Sequence, residues 1–174
     1  MTHSSPTADY WIDLLQLIQH PEGGYYREIY RAEESITTQS LPARYSTPRA
    51  FSTSIYFLLK AGYPSKFHRL QSDELWHYYA GSSVIIHMID DQGNYTCKVL
   101  GSDYTNKQAF VQIIPRHTWF AATVDAATVD TPESFVLIGC TVAPGFDFHD
   151  FELARRDYLL TAFPQHAGII HLLT

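Results

Sequence analysis

Residues 62 to 81, GYPSKFHRLQSDELWHYYAG, crowd ionisable and aromatic side chains between two glycines. The tripeptide Gln71-Ser72-Asp73 in the middle is turn sequence, so the segment predicts two strands joined by a tight connection. His68 lies before this turn and Glu74 lies after it. The hairpin therefore brings an imidazole and a carboxyl group onto neighbouring strands.

The alternation of side chains along the two strands decides what the hairpin presents to the interior. With a period of two, His68 and Leu70 share one face of the first strand. Glu74, Trp76 and Tyr78 share one face of the second strand. If both faces point inward, the imidazole and the carboxyl group meet inside a mostly apolar cavity. We therefore take this hairpin as the wall of a pocket.

The spacing within the hairpin is similar to the first motif of the cupins. A glycine is followed by five residues and His68, then by Leu70, three residues, Glu74, six residues and Gly81. Cupins that bind a metal carry a histidine at the position of Leu70. Three further segments resemble the cupin branch known as DUF985 or cupin 5: HPEGGYYRE at 20 to 28, STSIYFLL at 52 to 59 and VAPGFDFHDFEL at 142 to 153.

This resemblance covers residues 20 to 153. It implies an all-β fold, the double-stranded β-helix that is also called a cupin barrel or jelly roll, with a pocket in the barrel mouth. It also implies homodimers, and it implies no settled reaction. Outside the barrel, the sequence predicts an N-terminal helix that Asp9 caps and that ends near His20, and a short C-terminal helical segment that Asp150 caps.

The composition fits one β-rich domain. A chain of 174 residues can bury about two-thirds of the surface that its unfolded form exposes, so neither a metal nor a disulfide is needed for folding. Charged residues make up 17% of the chain and aromatic residues 14%, which is typical of strands around an aromatic interior. We predict a flexible N-terminus over residues 1 to 8 and a single cupin domain over residues 9 to 174.

The charge pattern argues against several classes of partner. The formal net charge is −6, and the 12 Lys and Arg residues are scattered along the chain, so the basic stripe that binds nucleic acid is missing. The sequence has no apolar run of about 18 residues and no basic segment followed by a hydrophobic one, so we predict neither a membrane span nor a secretory signal. We expect a cytoplasmic protein.

Metal binding finds little support in the sequence. The second cupin motif would place a ligand where this chain has Phe120, and His117 stands where a glycine is usual. With Leu70 at another ligand position, two of the four expected ligands are absent, and a transition metal generally needs three. Cys97 and Cys140 lie in apolar or alternating stretches without CxxC spacing, which indicates small buried side chains rather than thiolate ligands or a disulfide.

His68 and Glu74 are the candidate catalytic pair. Histidine titrates near neutrality, and burial raises the pKa of a carboxyl group, so the two residues can supply a general base and a general acid. The alternative is a polar contact that only supports the fold. In the segment PEGGYYRE, Glu22, Arg27 and Glu28 face either the pocket or the solvent, and the sequence leaves both possibilities open.

Aromatic side chains near this pair favour a small-molecule site. Trp76, Tyr78, Trp119 and Phe120 would form a wall suited to a flat or sugar-like ligand, although each of them alone could belong to the core. Phe146 follows a Pro-Gly bend, and its segment either closes one end of the cavity or anchors the C-terminal helix.

Two functions remain open at this stage. One is a metal-independent isomerase or epimerase that acts on a sugar-like or other small polar metabolite, with His68 as the base and Glu74 or a tyrosine as the acid. It rests on analogy with metal-free sugar epimerases that share the barrel, and a shared fold does not transmit a reaction. The other is a non-catalytic ligand-binding or storage protein. Neither function requires a cofactor.

Overall fold

The computed structural model describes residues 6 to 128 and 134 to 174 of the chain. The N-terminus predicted to be flexible therefore lies largely outside the described residues. Helices in the described ranges are α1 (Ala8–Leu15), α2 (Arg156–Ala162) and α3 (Ala167–Leu172). Over these ranges, no helix combines the length and the apolar character needed to cross a membrane.

The N-terminal helix starts and ends earlier than the sequence predicted. Thr7, and not Asp9, is the N-cap, because its hydroxyl accepts a hydrogen bond of 3.2 Å from the backbone N–H of Tyr10. The helix stops at Leu15, well before His20, because Gln16 adopts a left-handed conformation with φ of 53°. The chain then turns into an edge strand.

The strands of the described residues are numbered in chain order. They are β1 (Ile18–Gln19), β2 (Tyr25–Arg31), β3 (Ser35–Ile36), β4 (Arg49–Ala50), β5 (Thr53–Lys60), β6 (Ser65–Arg69), β7 (Asp73–Gly81), β8 (Val84–Ile89), β9 (Tyr95–Leu100), β10 (Val111–Ile114), β11 (Trp119–Val124), β12 (Phe135–Ala143) and β13 (Glu152–Leu153).

These strands form two facing antiparallel sheets. The larger sheet has the order β1-β2-β5-β12-β7-β10, and the smaller sheet has the order β13-β6-β11-β8-β9. Strands β3 and β4 pair with each other outside both sheets. The predicted hairpin is not a hydrogen-bonded pair of strands, because β6 belongs to the smaller sheet and β7 to the larger one. The turn between them crosses from one sheet to the other, so the inward faces of β6 and β7 look at each other across the interior. This architecture confirms the predicted all-β cupin barrel.

Apolar side chains fill three layers around this barrel. The main core lies between the sheets and includes Phe57, Trp76 and Phe120. A second cluster on the outer face of the smaller sheet packs Phe67 and Trp119 against the C-terminal helices. A third packs α1 on the outer face of the larger sheet. Each helix therefore covers a sheet face, and one end of the space between the sheets is left for a cavity.

Asp150 does not cap a helix, in contrast to the sequence prediction. It lies in a 3-10 turn, and its two carboxylate oxygens accept hydrogen bonds of 2.6 Å from Nε and Nη2 of Arg49. Both side chains are buried. This ion pair fastens the segment that follows β12 to β4, and the helical segment begins later, at Arg156.

Candidate functional site

A cavity of about 600 Å³ opens between the two sheets. Strands β2, β5, β6, β7 and β12, the loop before β2 and the segment after β12 form its walls. Its lining combines aromatic rings with several ionisable groups: His20, Glu22, Tyr26, Glu28, Arg31, Thr53, Ile55, Phe57, His68, Leu70, Glu74, Trp76, Cys140, Val142, Phe146, Asp147, Phe148, His149 and Phe151.

His68 is a fully enclosed imidazole on β6, with 2% of its surface exposed. Its Nδ1 lies 2.7 Å from the carbonyl oxygen of Lys66. A carbonyl oxygen only accepts hydrogen bonds, so Nδ1 carries the hydrogen of the neutral ring. Nε2 is therefore the nitrogen that is free to exchange a proton, and it lies 3.1 Å from Oε2 of Glu22.

Glu22 is a buried carboxyl group on the loop between β1 and β2. Its Oε1 accepts a hydrogen bond of 2.8 Å from the hydroxyl of Ser65, and its Oε2 lies 3.2 Å from Nδ1 of His20. Its backbone carbonyl accepts a hydrogen bond of 2.8 Å from the N–H of Lys66. The loop is thus tied to β6 through both its backbone and its side chain, close to His68.

Two glycines shape the loop that carries this carboxyl group. Gly23 and Gly24 have φ values of +110° and +73°, a region that residues with a Cβ rarely adopt. A Cβ on Gly23 would lie 2.5 Å from the carbonyl oxygen of Pro64, and a Cβ on Gly24 would lie 2.7 Å from the side chain of Leu59. The close approach of the loop to β5 and β6 therefore requires glycine.

Burial and charge act in opposite directions on this pair. Burial raises the pKa of Glu22, but the charge of His68 and the contacts with His20 and Ser65 outweigh it, so the pKa is lowered. Burial lowers the pKa of His68, against the charge of Glu22 and the Lys66 carbonyl. A lowered pKa of Glu22 is typical of a carboxylate in an ion pair, whereas a lowered pKa of His68 is typical of a neutral imidazole. Glu22 remains a carboxylate, because Ser65 and His20 contact it in either state of His68.

A second ionisable cluster lies on the facing sheet. Glu74 on β7 is buried, and burial together with the nearby charge of Glu22 raises its pKa to about 8, although Trp76 and Cys140 oppose the shift. Burial and the Glu74 carboxyl raise the pKa of the Cys140 thiol well above its usual value. The indole Nε1 of Trp76 lies close enough to affect Glu74 but makes no hydrogen bond of good geometry. At neutral pH, Glu74 is therefore a protonated acid.

The segment after β12 and the end of β2 form the mouth of the cavity. Phe146, Phe148 and Phe151 pack edge to face, with ring centroids 5.1 to 6.4 Å apart. Arg31 donates two hydrogen bonds to Glu28, of 2.9 and 2.7 Å. The sequence left two roles open for this segment, closing the cavity or anchoring the C-terminal helix. Its aromatic residues line the cavity and close one end of it.

The predicted site residues divide into two groups. His68, Glu74, Trp76 and Phe146 line the cavity. The two candidate catalytic groups face the same space, as the strand alternation indicated, although each makes its polar contacts with other residues. Glu28 also lines the cavity.

Three predicted aromatic contacts do not line the cavity. The ring of Phe120 packs behind His68, with 4.0 Å between the ring centroids. Tyr78 lies further along β7, beside a different groove. Trp119 is on the outer face of the smaller sheet, under the guanidinium of Arg69. Because Trp119 and Phe120 are adjacent on one strand, their side chains point to opposite faces.

Sequence reasoning did not assign three groups that the structure brings into the cavity. The sequence alone leaves open whether Glu22 faces the pocket or the solvent, and its position before two glycines is the signal that could have placed it. The sequence marks His20 only as the end of the predicted helix. Cys140 is free and buried, as the sequence predicts, whereas the same prediction is wrong for Cys97, which is exposed. The contact of Cys140 with Glu74 depends on pairing between β12 and β7. Arg27 points away, towards the carbonyl of Leu15.

The residues around His68 do not fit a metal ion. Leu70, which lines the cavity, and Phe120, which packs against the ring of His68, carry no atom that binds a metal. Over residues 6 to 128 and 134 to 174, no group of three or more His, Cys, Asp or Glu side chains has an arrangement that could hold a metal. We derive no reaction step through a metal.

The fold and the enclosed cavity define a cupin barrel. The chain belongs to the family described as Cupin superfamily (DUF985), whose model matches residues 9–154. Uncharacterized protein YML079W of Saccharomyces cerevisiae is 32% identical over 149 residues, which cover 82% of this chain and 72% of the yeast protein.

Solved structures support the same assignment. Protein SO0799 from Shewanella oneidensis has 38% sequence identity and a TM-score of 0.85, over 97% of each chain. A hypothetical protein from Leishmania major has 33% identity and a TM-score of 0.85, over 97% of this chain and 98% of that chain. Oxalate decarboxylase from Bacillus subtilis, at 15% identity and a TM-score of 0.54, shares the fold over 90% of this chain and 36% of its own.

Proposed function

We propose that this cupin is a metal-independent isomerase or epimerase that moves a proton at a carbon next to a carbonyl group in a small polar metabolite. The observation that carries the proposal is the pairing, in one cavity, of a proton acceptor with a proton donor. The acceptor is Nε2 of His68, which faces the Glu22 carboxylate at 3.1 Å. The donor is Glu74, whose pKa is raised to about 8.

His68 acts as the base in this scheme. The C–H group of the substrate takes the place of Oε2 of Glu22 beside Nε2 of the neutral ring. Nε2 then takes the proton from the carbon, and the nearby Glu22 carboxylate stabilises the imidazolium that forms. The Lys66 carbonyl holds the ring in one orientation, because it accepts the Nδ1 hydrogen. Glu22 is therefore a positioning residue that also makes His68 a better proton acceptor.

Glu74 acts as the acid. Its proton passes to the carbonyl oxygen of the substrate as the carbon loses its own proton, so an enol forms without a free charge on oxygen. In the second half of the reaction the Glu74 carboxylate takes a hydroxyl proton back from the enol and the His68 imidazolium protonates carbon. Protonation of the neighbouring carbon of an enediol gives an isomer, and protonation of the original carbon after the intermediate has turned its other face to His68 gives an epimer. The aromatic walls keep water away from both transfers.

Hydrogen exchange tests this proposal. Small molecules retained by freshly purified protein are identified by native mass spectrometry and are then incubated with the protein in deuterated water. We expect the wild-type protein to exchange a carbon-bound hydrogen of the substrate for deuterium. His68→Ala should lower the exchange rate at least about 100-fold, which is the usual contribution of a general base.

A matched control separates a catalytic effect from a general loss of structure. His87→Ala removes another largely buried imidazole, which bonds Tyr95 and Thr123 outside the cavity, and it should keep the wild-type exchange rate. His68→Gln provides a better-folded variant if the alanine substitution unfolds the barrel. A retained molecule that the wild-type protein binds without any exchange would instead support the non-catalytic binding protein.

We also propose that the protein forms a homodimer through an apolar patch at the edge of the larger sheet. Phe110, Val111 and Ile113, which we call the β10 patch, are 55%, 45% and 52% exposed. Exposed apolar side chains that cluster on a sheet edge are typical of a protein interface.

A further inference from the structure

The mouth of the cavity carries one arginine, which is already paired with a carboxylate. Nε and Nη2 of Arg31 donate hydrogen bonds of 2.9 and 2.7 Å to the two carboxylate oxygens of Glu28. Nη2 also donates a hydrogen bond of 3.1 Å to the carbonyl of Phe146. The bidentate geometry is the strongest that a guanidinium and a carboxylate adopt. The two side chains are 44% and 38% exposed, so solvent weakens the pair. A ligand that needs Nε and Nη2 of Arg31 would still have to displace Glu28.

Acidic groups outnumber basic ones around the same space. Among the described residues that line the cavity, Arg31 is the only Lys or Arg, whereas the carboxyl groups are Glu22, Glu28, Glu74 and Asp147. The backbone N–H of His149 and, less strongly, its side chain and Arg49 lower the pKa of Asp147, so its carboxylate stays charged at neutral pH. The carboxylates of Glu28 and Asp147 both lie beside the guanidinium.

We propose that the cavity takes a ligand without negative charge, and that Glu28 sets this specificity because it holds the guanidinium of Arg31 away from anions. A phosphate or carboxylate group entering the mouth meets the carboxylates of Glu28 and Asp147, and the one Arg or Lys among the described lining residues is already paired. Like charges disfavour such a ligand, and the loss of its hydration is not offset by a new ion pair.

The apolar walls favour the same class of ligand. Six aromatic rings line the cavity, namely Tyr26, Phe57, Trp76, Phe146, Phe148 and Phe151. Rings of this kind pack against the C–H faces of an uncharged polyhydroxy compound, while a few polar groups orient its hydroxyl and carbonyl groups. The substrate class is then an uncharged hydroxy-carbonyl compound, in preference to a phosphate ester or a carboxylic acid. This inference rests on the proposed function in taking the cavity as the substrate site.

Titration with inorganic phosphate tests the role of Glu28. Isothermal titration calorimetry at low ionic strength, where charges are least screened, should detect no phosphate binding to the wild-type protein at millimolar concentration. Glu28→Gln frees the guanidinium and removes one carboxylate, and we expect phosphate affinity to increase at least about tenfold. The double variant Glu28→Gln/Arg31→Gln should lose this gain. Melting temperatures establish that each variant is folded.

Asp147→Asn is the second variant for this test. It removes a carboxylate at the mouth but leaves Arg31 paired, so its gain in phosphate affinity should be smaller than that of Glu28→Gln. Phosphate binding to the wild-type protein that Arg31→Gln abolishes would overturn the inference, and so would a Glu28→Gln variant without any gain. Neither result bears on deuterium exchange at His68, so this inference and the proposed function can fail independently.

Discussion

The Glu74 carboxyl group has an unusual place among the ionisable groups of the protein. Only 8% of its surface is exposed, and its pKa is raised to about 8. The folded protein therefore keeps a proton that the unfolded chain releases near its ordinary value of 4.5. Stability and pH are linked through this difference in bound protons.

The sign of the linkage predicts how stability changes with pH. Between pH 4.5 and about 8 the folded state binds more protons through Glu74 than the unfolded state, so its contribution to the free energy of unfolding falls as the pH rises. The contribution of Glu74 is fully present below pH 4.5 and is lost as the pH rises through about 8. At about 1.36 kcal/mol per pKa unit, the free energy of unfolding falls by at most about 5 kcal/mol over this range. Urea unfolding at a series of pH values measures it.

Glu74→Gln should flatten this dependence, because an amide of the same shape does not titrate. At pH 8 the variant should be more stable than the wild-type protein. Glu33→Gln, at an exposed position, serves as the control and should keep the wild-type slope. A Glu74→Gln variant with an unchanged slope would show that another group dominates the titration.

At the scale of the secondary-structure elements, the loop between β1 and β2 decides where the Glu22 carboxylate lies. The N–H of Gly23 donates to the carbonyl of His20 at 3.0 Å, and the N–H of His20 donates to the carbonyl of Gly24 at 3.1 Å. This tight turn lies against the start of β6. The backbone geometry of this turn, and not a position in a strand, therefore places the Glu22 side chain opposite His68.

Gly23→Ala should destabilise the protein and displace Glu22. The new Cβ would have both an unfavourable φ and a contact of 2.5 Å with the Pro64 carbonyl. Gly62→Ala is the matched control, since Gly62 also has a positive φ, of 81°, but has nothing within 4 Å of the added Cβ. We expect Gly23→Ala to lower the free energy of unfolding by at least about 1 kcal/mol more than Gly62→Ala, as urea unfolding would measure. Equal losses would contradict the role of close packing at this loop.

At the scale of the whole molecule, the β10 patch bears on assembly. If two barrels associate through it, sedimentation velocity should give a dimer for the wild-type protein. Ile113→Glu places a charge in the proposed interface and should yield monomers, because burying an unpaired carboxylate is costly. Leu172→Glu, at a position on α3 that is 67% exposed, should leave the dimer intact. A monomeric wild-type protein or a dimeric Ile113→Glu variant would contradict the proposal.

Much of this molecule follows from local sequence rules, and the remainder depends on contacts between distant segments. Strand alternation and a turn were enough to place His68 and Glu74 on inward faces. The same rule, applied to Trp119 and Phe120 together, would have excluded one of these neighbours from the cavity. Glu22 could not be placed in this way, because its position depends on how a glycine turn meets β6.

The remaining partners of the site depend on long-range pairing. Cys140 lies opposite Trp76, which is 64 residues earlier in the sequence, through the pairing of β12 with β7. The Arg49 and Asp150 ion pair joins segments 101 residues apart. No local sequence pattern predicts this ion pair, since Arg49 and Asp150 are ordinary polar residues in a short strand and a turn.

The protonated side chain at position 74 also gives the protein an intrinsic spectroscopic label. Carboxylic acids absorb in an infrared window that is separate from that of carboxylates and of the peptide bond, and Glu74 is held in the acid form by its surroundings. Difference spectra recorded as a compound enters the barrel would report, without any dye or isotope, whether that acid gains a new acceptor or gives up its hydrogen. Screening for guests of this cupin could therefore begin with vibrational measurements on the unmodified protein.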